Sequence, residues 1–341
     1  MSIHNHAPAE GIPRDGAQAP PPNSGVIAAP AGAPYHRLAR TERHRWWRPL
    51  VATLVALGGW GLCLFLLLVG LGVAAVLAGV KWGTGDQLFA DPLWDTAAWL
   101  LILALMLPAV LLAARLVQRR PAGTLSSVTG RLRWRWLLVC LGVAVAATLL
   151  LSGLATVFIY AFGAGSYDSA SAGWVGWPTF LSAAAMLVLL VPLQAAAEEY
   201  VFRGWIPQVF GCYLRTPWVG IIVGGLLFAL DHGPSTLWGF ADLLLFSLVL
   251  GVLVIRTGGL EAAIALHVVN NLFFFINSAA VVGGLNSTSV IAADAFWELL
   301  AAEAIVLPLY AWVVLRLSHR FRIARTTPEP TRLAKPAATT A

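Results

Sequence analysis

The sequence predicts an all-α fold: a polytopic helical membrane protein with about eight transmembrane helices and both termini cytoplasmic. Three observations carry this. Of 341 residues, 59% are apolar and only 11% charged, with a mean hydropathy of +0.77; soluble domains carry about 25% charged residues. The apolar residues gather in eight stretches, each near the roughly 20 residues that cross a hydrocarbon core of about 30 Å. The basic residues cluster in alternate connections between those stretches, as they do on the cytoplasmic side of helical membrane proteins.

The elements follow in order. Residues 1–46 are rich in Pro, Ala and Gly and have no apolar period, which predicts a disordered cytoplasmic tail. The first apolar run starts near Leu50 and is too long for the core of a signal peptide. A transmembrane domain is expected over 47–318, with spans near 50–80, 97–117, 136–162, 180–202, 217–232, 239–256, 260–282 and 296–316. A disordered basic cytoplasmic tail is expected over 319–341. Arginines 37, 40, 43, 45 and 48 precede the first span, arginines 119, 120, 131, 133 and 135 separate the second from the third, and arginines 316, 320, 322 and 325 follow the last. The alternate connections hold Lys81 and no arginine. Trp46, Trp47, Trp82, Trp94, Trp134, Trp136, Trp174, Trp177 and Trp218 fall at expected helix ends, where amphipathic rings anchor to headgroups.

The formal net charge of +6 is thereby a topology signal, and no nucleic-acid partner is expected. Cys63, Cys140 and Cys212 form no CxxC pair or metal spacing and read as inert thiols, lipid-facing or packed.

An ionisable group inside a span is costly unless paired or solvated, so each is a functional candidate. In VPLQAAAEEYVFRGW, Glu198 and Glu199 are adjacent and Arg203 follows. Glu199 and Arg203 are four residues apart with the acid first, so they face each other on a helix, while Glu198 points about 100° away. FALDH places Phe228 and His232 on one face, and HVVNN places His267 and Asn271 on another. Each has a plainer reading: a solvated helix end for the glutamates, an interfacial ring for His232, interhelical glue for His267 and Asn271. One cluster drawn from three spans accounts for all of them together.

Other signatures are weaker. HExxH is absent, so no zinc helix of that type is expected. The GxGD string at Gly83 to Asp86 and the pair Tyr167 and Asp168 lie in expected outer connections and read as chance. Ser247 lies in a span without a matching histidine constellation.

With EEYVFR at 198–203, FALDH at 228–232 and HVVNN at 267–271, the chain resembles the CPBP family of intramembrane glutamic endopeptidases, which includes CAAX prenyl proteases and bacteriocin-processing enzymes. The resemblance covers about 130–285. It implies that Glu198 is the general base that activates water, that His232 positions this water, and that His267 and Asn271 stabilise the oxyanion. Glu199, Arg203 and Phe228 would support the site, with no metal or other cofactor. The implied partners are the lipid bilayer and a membrane-anchored, prenylated or otherwise hydrophobic peptide substrate. The alternatives are a non-proteolytic protein on the same scaffold, acting in secretion or toxin immunity, a small-solute transporter, and a metal enzyme using Glu198, His232 and His267 as ligands.

Depth is harder to reconcile. At about 1.5 Å per residue, Glu198 lies roughly 27 Å from the outer end of the fourth span and His267 roughly 10 Å from the inner end of the seventh. His232 lies roughly 22 Å from the inner end of the fifth, which places it too far outward. Either the fifth helix starts well below the membrane, or the fourth helix bends at Pro192, or His232 lies outside the site.

Overall fold

A computed structural model describes residues 26–85, 87–162, 173–233, 236–285 and 296–329. Asp86, Tyr167 and Asp168 lie outside the described residues. Among the described residues the fold is all-helical, with extended pairing limited to isolated bridges. The helices are α1 (Arg48–Ala78), α2 (Pro92–Ala104), α3 (Met106–Leu116), α4 (Trp134–Phe162), α5 (Trp177–Glu198), α6 (Ile206–Tyr213), α7 (Trp218–Asp231), α8 (Leu237–Thr257), α9 (Glu261–Ala279) and α10 (Trp297–Arg320). A π-helical segment, Glu199–Trp205, joins α5 to α6.

Seven helical runs are long and apolar enough to cross a membrane, as expected of an integral membrane protein. The second is interrupted between α2 and α3; Pro108 has no N–H to offer the carbonyl one turn back, which weakens the ladder at Ala104. The expected fifth span is the exception. It is α7, with 14 residues and a length of about 21 Å, and it ends before Gly233 in the left-handed region (φ 78°). The preceding run is correspondingly longer than expected: instead of ending near residue 202 it continues for 37 residues to Tyr213, because the π segment carries the chain through Gly204 without a break.

Helix α9 occupies the middle of the bundle, packed on α4, α5 and α8, and α10 closes it against α4 and α8. Every residue from Glu261 to Val268 is buried. Helix α1 packs chiefly on α3 and leaves an apolar surface outward, including Leu54, Leu62, Phe65 and Leu77. That distribution suits a lipid solvent rather than water.

One end of the bundle is tied by the bridges Ser127 to Gly259 and Pro34 to Thr326 and by Arg133, which bonds Glu261, the Thr257 carbonyl and the Ala324 carbonyl. Trp82 with Phe89 and Trp174 with Val281 mark the opposite end.

Two expected tails extend less far than their composition suggests. Residues 26–47 pack onto the bundle: Tyr35 and Leu38 are fully buried, and the Tyr35 hydroxyl donates to the Leu125 carbonyl. Arg40 reaches the Cys212 carbonyl. Residues 321–327 return along this segment, with Thr327 N donating to the Ala33 carbonyl at 3.0 Å. Single anchors of this kind leave no periodic trace in a sequence. Arg120, one of the arginines that mark the connection between the second and third expected spans, is buried and bonded to Gln118 and Thr124; burial pushes its guanidinium down to about 10. Trp136, expected at a headgroup boundary, is buried and packs on Phe321. Cys140 and Cys212 are packed free thiols.

Candidate active site

The site is built on α5, the π segment, α7 and α9, with α8 behind it. The α5 helix presents Gln194 and Glu198 one turn apart, and the Gln194 amide donates to Glu198 Oε1 at 2.6 Å. The next residue, Glu199, opens the π segment. Its Oε1 accepts from Arg203 Nη1 at 2.8 Å and meets His267 Nδ1 at 2.7 Å. The expected pairing of Glu199 with Arg203 is therefore formed, and a histidine from α9 shares the same oxygen. All of Gln194, Glu198, Glu199, Arg203 and His267 are buried.

Glu199 has no proton to give when ionised, so Nδ1 of His267 donates and the ring presents Nε2 on its other side. Nε2 lies 3.5 Å from Glu198 Oε2. That oxygen is buried without a hydrogen-bond partner. In native proteins such orphans are few and call for an explanation. Glu199 Oε2 is also buried without a hydrogen-bond partner, so the two glutamates differ in what they face: Glu199 Oε1 is held by Arg203 and His267 Nδ1, while the open Glu198 Oε2 lies beside His267 Nε2.

Aromatic rings form the floor. The Arg203 guanidinium lies 4.0 Å from the centre of the Phe228 ring, a cation–π contact that partly replaces lost hydration. Phe228 and Phe246 meet His267 edge-on at 5.8 and 5.6 Å and hold the imidazole plane.

His232 reaches the site through Phe228. Its Nδ1 is bonded to the Phe228 carbonyl at 2.8 Å, and its ring lies 4.7 Å from the Phe228 ring. The depth conflict disappears because the α5–α6 run and α7 form a hairpin around residues 214–217. Glu198 lies roughly 22 Å back from Tyr213, and His232 roughly 21 Å on from Trp218. The close approach depends on glycine: a Cβ on Gly220 would stand 2.6 Å from Pro207 Cα, and one on Gly224 would stand 2.4 Å from Phe202 O. Continued along the helices, this register sets Phe228 level with Glu198 and His232 level with Gln194.

Asn271 is half-buried, one turn beyond His267, and its amide donates to Gln194 Oε1 at 3.3 Å. Gln194 thereby links Asn271 to Glu198. It has no place among the motifs read from the sequence; the available signal was its position four residues before Glu198 in a run otherwise free of amides. The π segment was equally unannounced. Among the described residues, no group of three His, Cys, Asp or Glu side chains is arranged to hold a metal.

Residues 177–273 match the family model described as Rce1-like, type II CAAX prenyl endopeptidase Rce1-like. This segment holds all seven residues singled out above. The likeness to that family is carried by this segment, less than a third of the chain. The resemblance to the CPBP proteases stands on the same helices, and the family named is one of hydrolases. The chain is 28% identical over 257 residues to the uncharacterized protein YyaK of Bacillus subtilis (strain 168), spanning 69% of this chain and 84% of that one. It is also 37% identical over 83 residues to an uncharacterized 24.3 kDa protein of Escherichia coli, 24% of this chain and 37% of the relative. No solved structure matches.

Proposed function

We propose that the protein is an intramembrane glutamate endopeptidase that needs no metal and cuts a membrane-anchored, prenylated or otherwise hydrophobic peptide. The observation that carries this reading is the open Glu198 Oε2, buried and 3.5 Å from His267 Nε2. Peptide hydrolysis needs a base for water and donors for the developing oxyanion. Glu198 Oε2 takes a proton from water as the water oxygen attacks the scissile carbonyl. The Nε2 edge of His267 and the second amide hydrogen of Asn271 stabilise the oxyanion. Collapse of the tetrahedral species breaks the C–N bond, and the proton held by Glu198 passes to the leaving amine. His232, from α7, orients the water.

The proposed setting is the cell membrane, with both termini cytoplasmic, as the arginine distribution indicates.

The test is cleavage of a prenylated reporter peptide by the purified protein in liposomes. Activity is expected to persist with a chelator and to be lost in Glu198→Gln. Activity that survives this substitution, or that requires added metal, overturns the reading. An unaltered cellular phenotype in the Glu198→Gln strain points instead to the non-proteolytic alternative.

A further inference from the structure

Helix α7 packs on the α5–α6 run along one face, closed at its start and open at its end. Gly220 and Gly224 lie on that face and are buried; a Cβ there would stand 2.6 Å from Pro207 Cα and 2.4 Å from Phe202 O respectively. At about 100° per residue, Asp231 falls between the two glycines around the helix, about 20° from each. It is nonetheless exposed. Leu226 and Leu230, on the outward apolar surface, point about 100–140° away. Helix α5 continues past this level to Trp177, so the exposure of Asp231 marks a gap between α7 and α5.

That gap adjoins the candidate active site. The register fixed by the glycines sets Phe228 level with Glu198, and Asp231 stands three residues, about 4.5 Å, further along. Its carboxylate is within electrostatic reach of Glu198 and His232. His232 Nδ1 is turned to the Phe228 carbonyl instead, and Glu198 is itself an acid. Among the described residues no lysine or arginine pairs with Asp231, Arg203 being held by Glu199. An ionisable side chain at membrane depth without a partner is costly and is a functional candidate. An extended peptide advances about 3.3 Å per residue, so with its scissile carbonyl beside Glu198 the side chain one or two residues away comes level with Asp231. Resting on the peptidase reading above, we propose that Asp231 selects substrates with a lysine or arginine at that position, pairing with the cation in the gap. A glutamate there would face both Asp231 and Glu198 and be repelled.

The test uses full-length protein in liposomes and sets of reporter peptides that differ only in one residue near the scissile bond: lysine, methionine or glutamate. Wild type is expected to cleave the lysine reporter with kcat/KM about tenfold above the methionine one, the effect of a charge-assisted hydrogen bond, and the glutamate reporter least well. The ranking should narrow as NaCl rises. Asp231→Asn is expected to erase the lysine preference, and Asp231→Lys to favour glutamate. The wild-type ranking and its salt dependence decide even if a variant does not fold. Binding of the same labelled peptides to Glu198→Gln is measured in parallel, because it needs no turnover. Charge-selective binding that is lost on adding Asp231→Asn, with no cleavage by wild type, upholds the role of Asp231 and overturns the peptidase reading. Cleavage with no preference for lysine over glutamate does the reverse. A lysine preference undiminished in Asp231→Asn overturns the proposal, and so does the absence of both cleavage and charge-selective binding.

Discussion

Gln194 Nε2 donates to Glu198 Oε1 at 2.6 Å, and this bond determines which oxygen of the glutamate is left open. It occupies one side of the carboxylate and turns the other toward His267. Gln194 is thus a positioning residue under the proposed mechanism. Gln194→Leu is expected to lower kcat about 10–100-fold, in line with a hydrogen bond to a charged group of about 1.5–3 kcal/mol, with little change in KM. The pH–rate profile should shift in the same variant, which a general loss of folded protein would not produce. A change confined to KM would contradict the role.

Arg203 and Glu199 form a fully buried pair at 2.8 Å. Removing one partner leaves an uncompensated charge, so Arg203→Met should destabilise the protein by about 3–5 kcal/mol. The double variant Glu199→Gln with Arg203→Met should recover part of that loss. Arg203→Lys should not rescue, because a lysine cannot reproduce a planar group lying 4.0 Å from the Phe228 ring centre. Thermal unfolding in detergent measures all three.

Gly224 lets α7 lie against the π segment. Gly224→Val places a Cβ 2.4 Å from the Phe202 carbonyl oxygen, which forces α7 outward at an expected cost of about 1–3 kcal/mol. His232 sits two turns further along that helix, so reporter cleavage should fall by more than the loss of folded protein measured by thermal unfolding. Equal losses would place His232 outside the reaction.

The packed N-terminal segment should loosen in acid. His36 Nε2 is bonded to the Arg215 carbonyl at 2.9 Å, and Nδ1 is buried without a partner. Burial lowers the His36 pKa below the usual histidine range, more than its bond to Arg215 raises it. The folded state therefore binds the proton less readily than the unfolded one. The neutral form contributes stability that is fully present above about pH 6.5 and is lost as pH falls from there toward the folded pKa. Limited proteolysis of residues 26–47 should accelerate between about pH 7 and pH 5, and His36→Gln should flatten that dependence.

The apolar stretches were legible because hydropathy is a summed signal, and seven of the eight appear as full-length spans. The pairing of Glu199 with Arg203 was legible because it is local, one turn along a helix. The capture of Glu199 by His267 was not, since it joins residues 68 positions apart and depends on how α9 packs. Gln194 was overlooked because amides are common glue between helices, and only the geometry shows it aimed at Glu198. Residues such as Tyr35 and Leu38 were hidden in a Pro-rich stretch because one buried ring needs no period.

Pro34 pairs with Thr326, and that contact bears on the path of the whole chain. Seven traverses of a bilayer are an odd number and would leave these two residues on opposite sides. Under the proposed topology the short helix α7 counts as a return stroke, and reporter fusions at the two termini are expected in the same compartment; fusions in opposite compartments would contradict it.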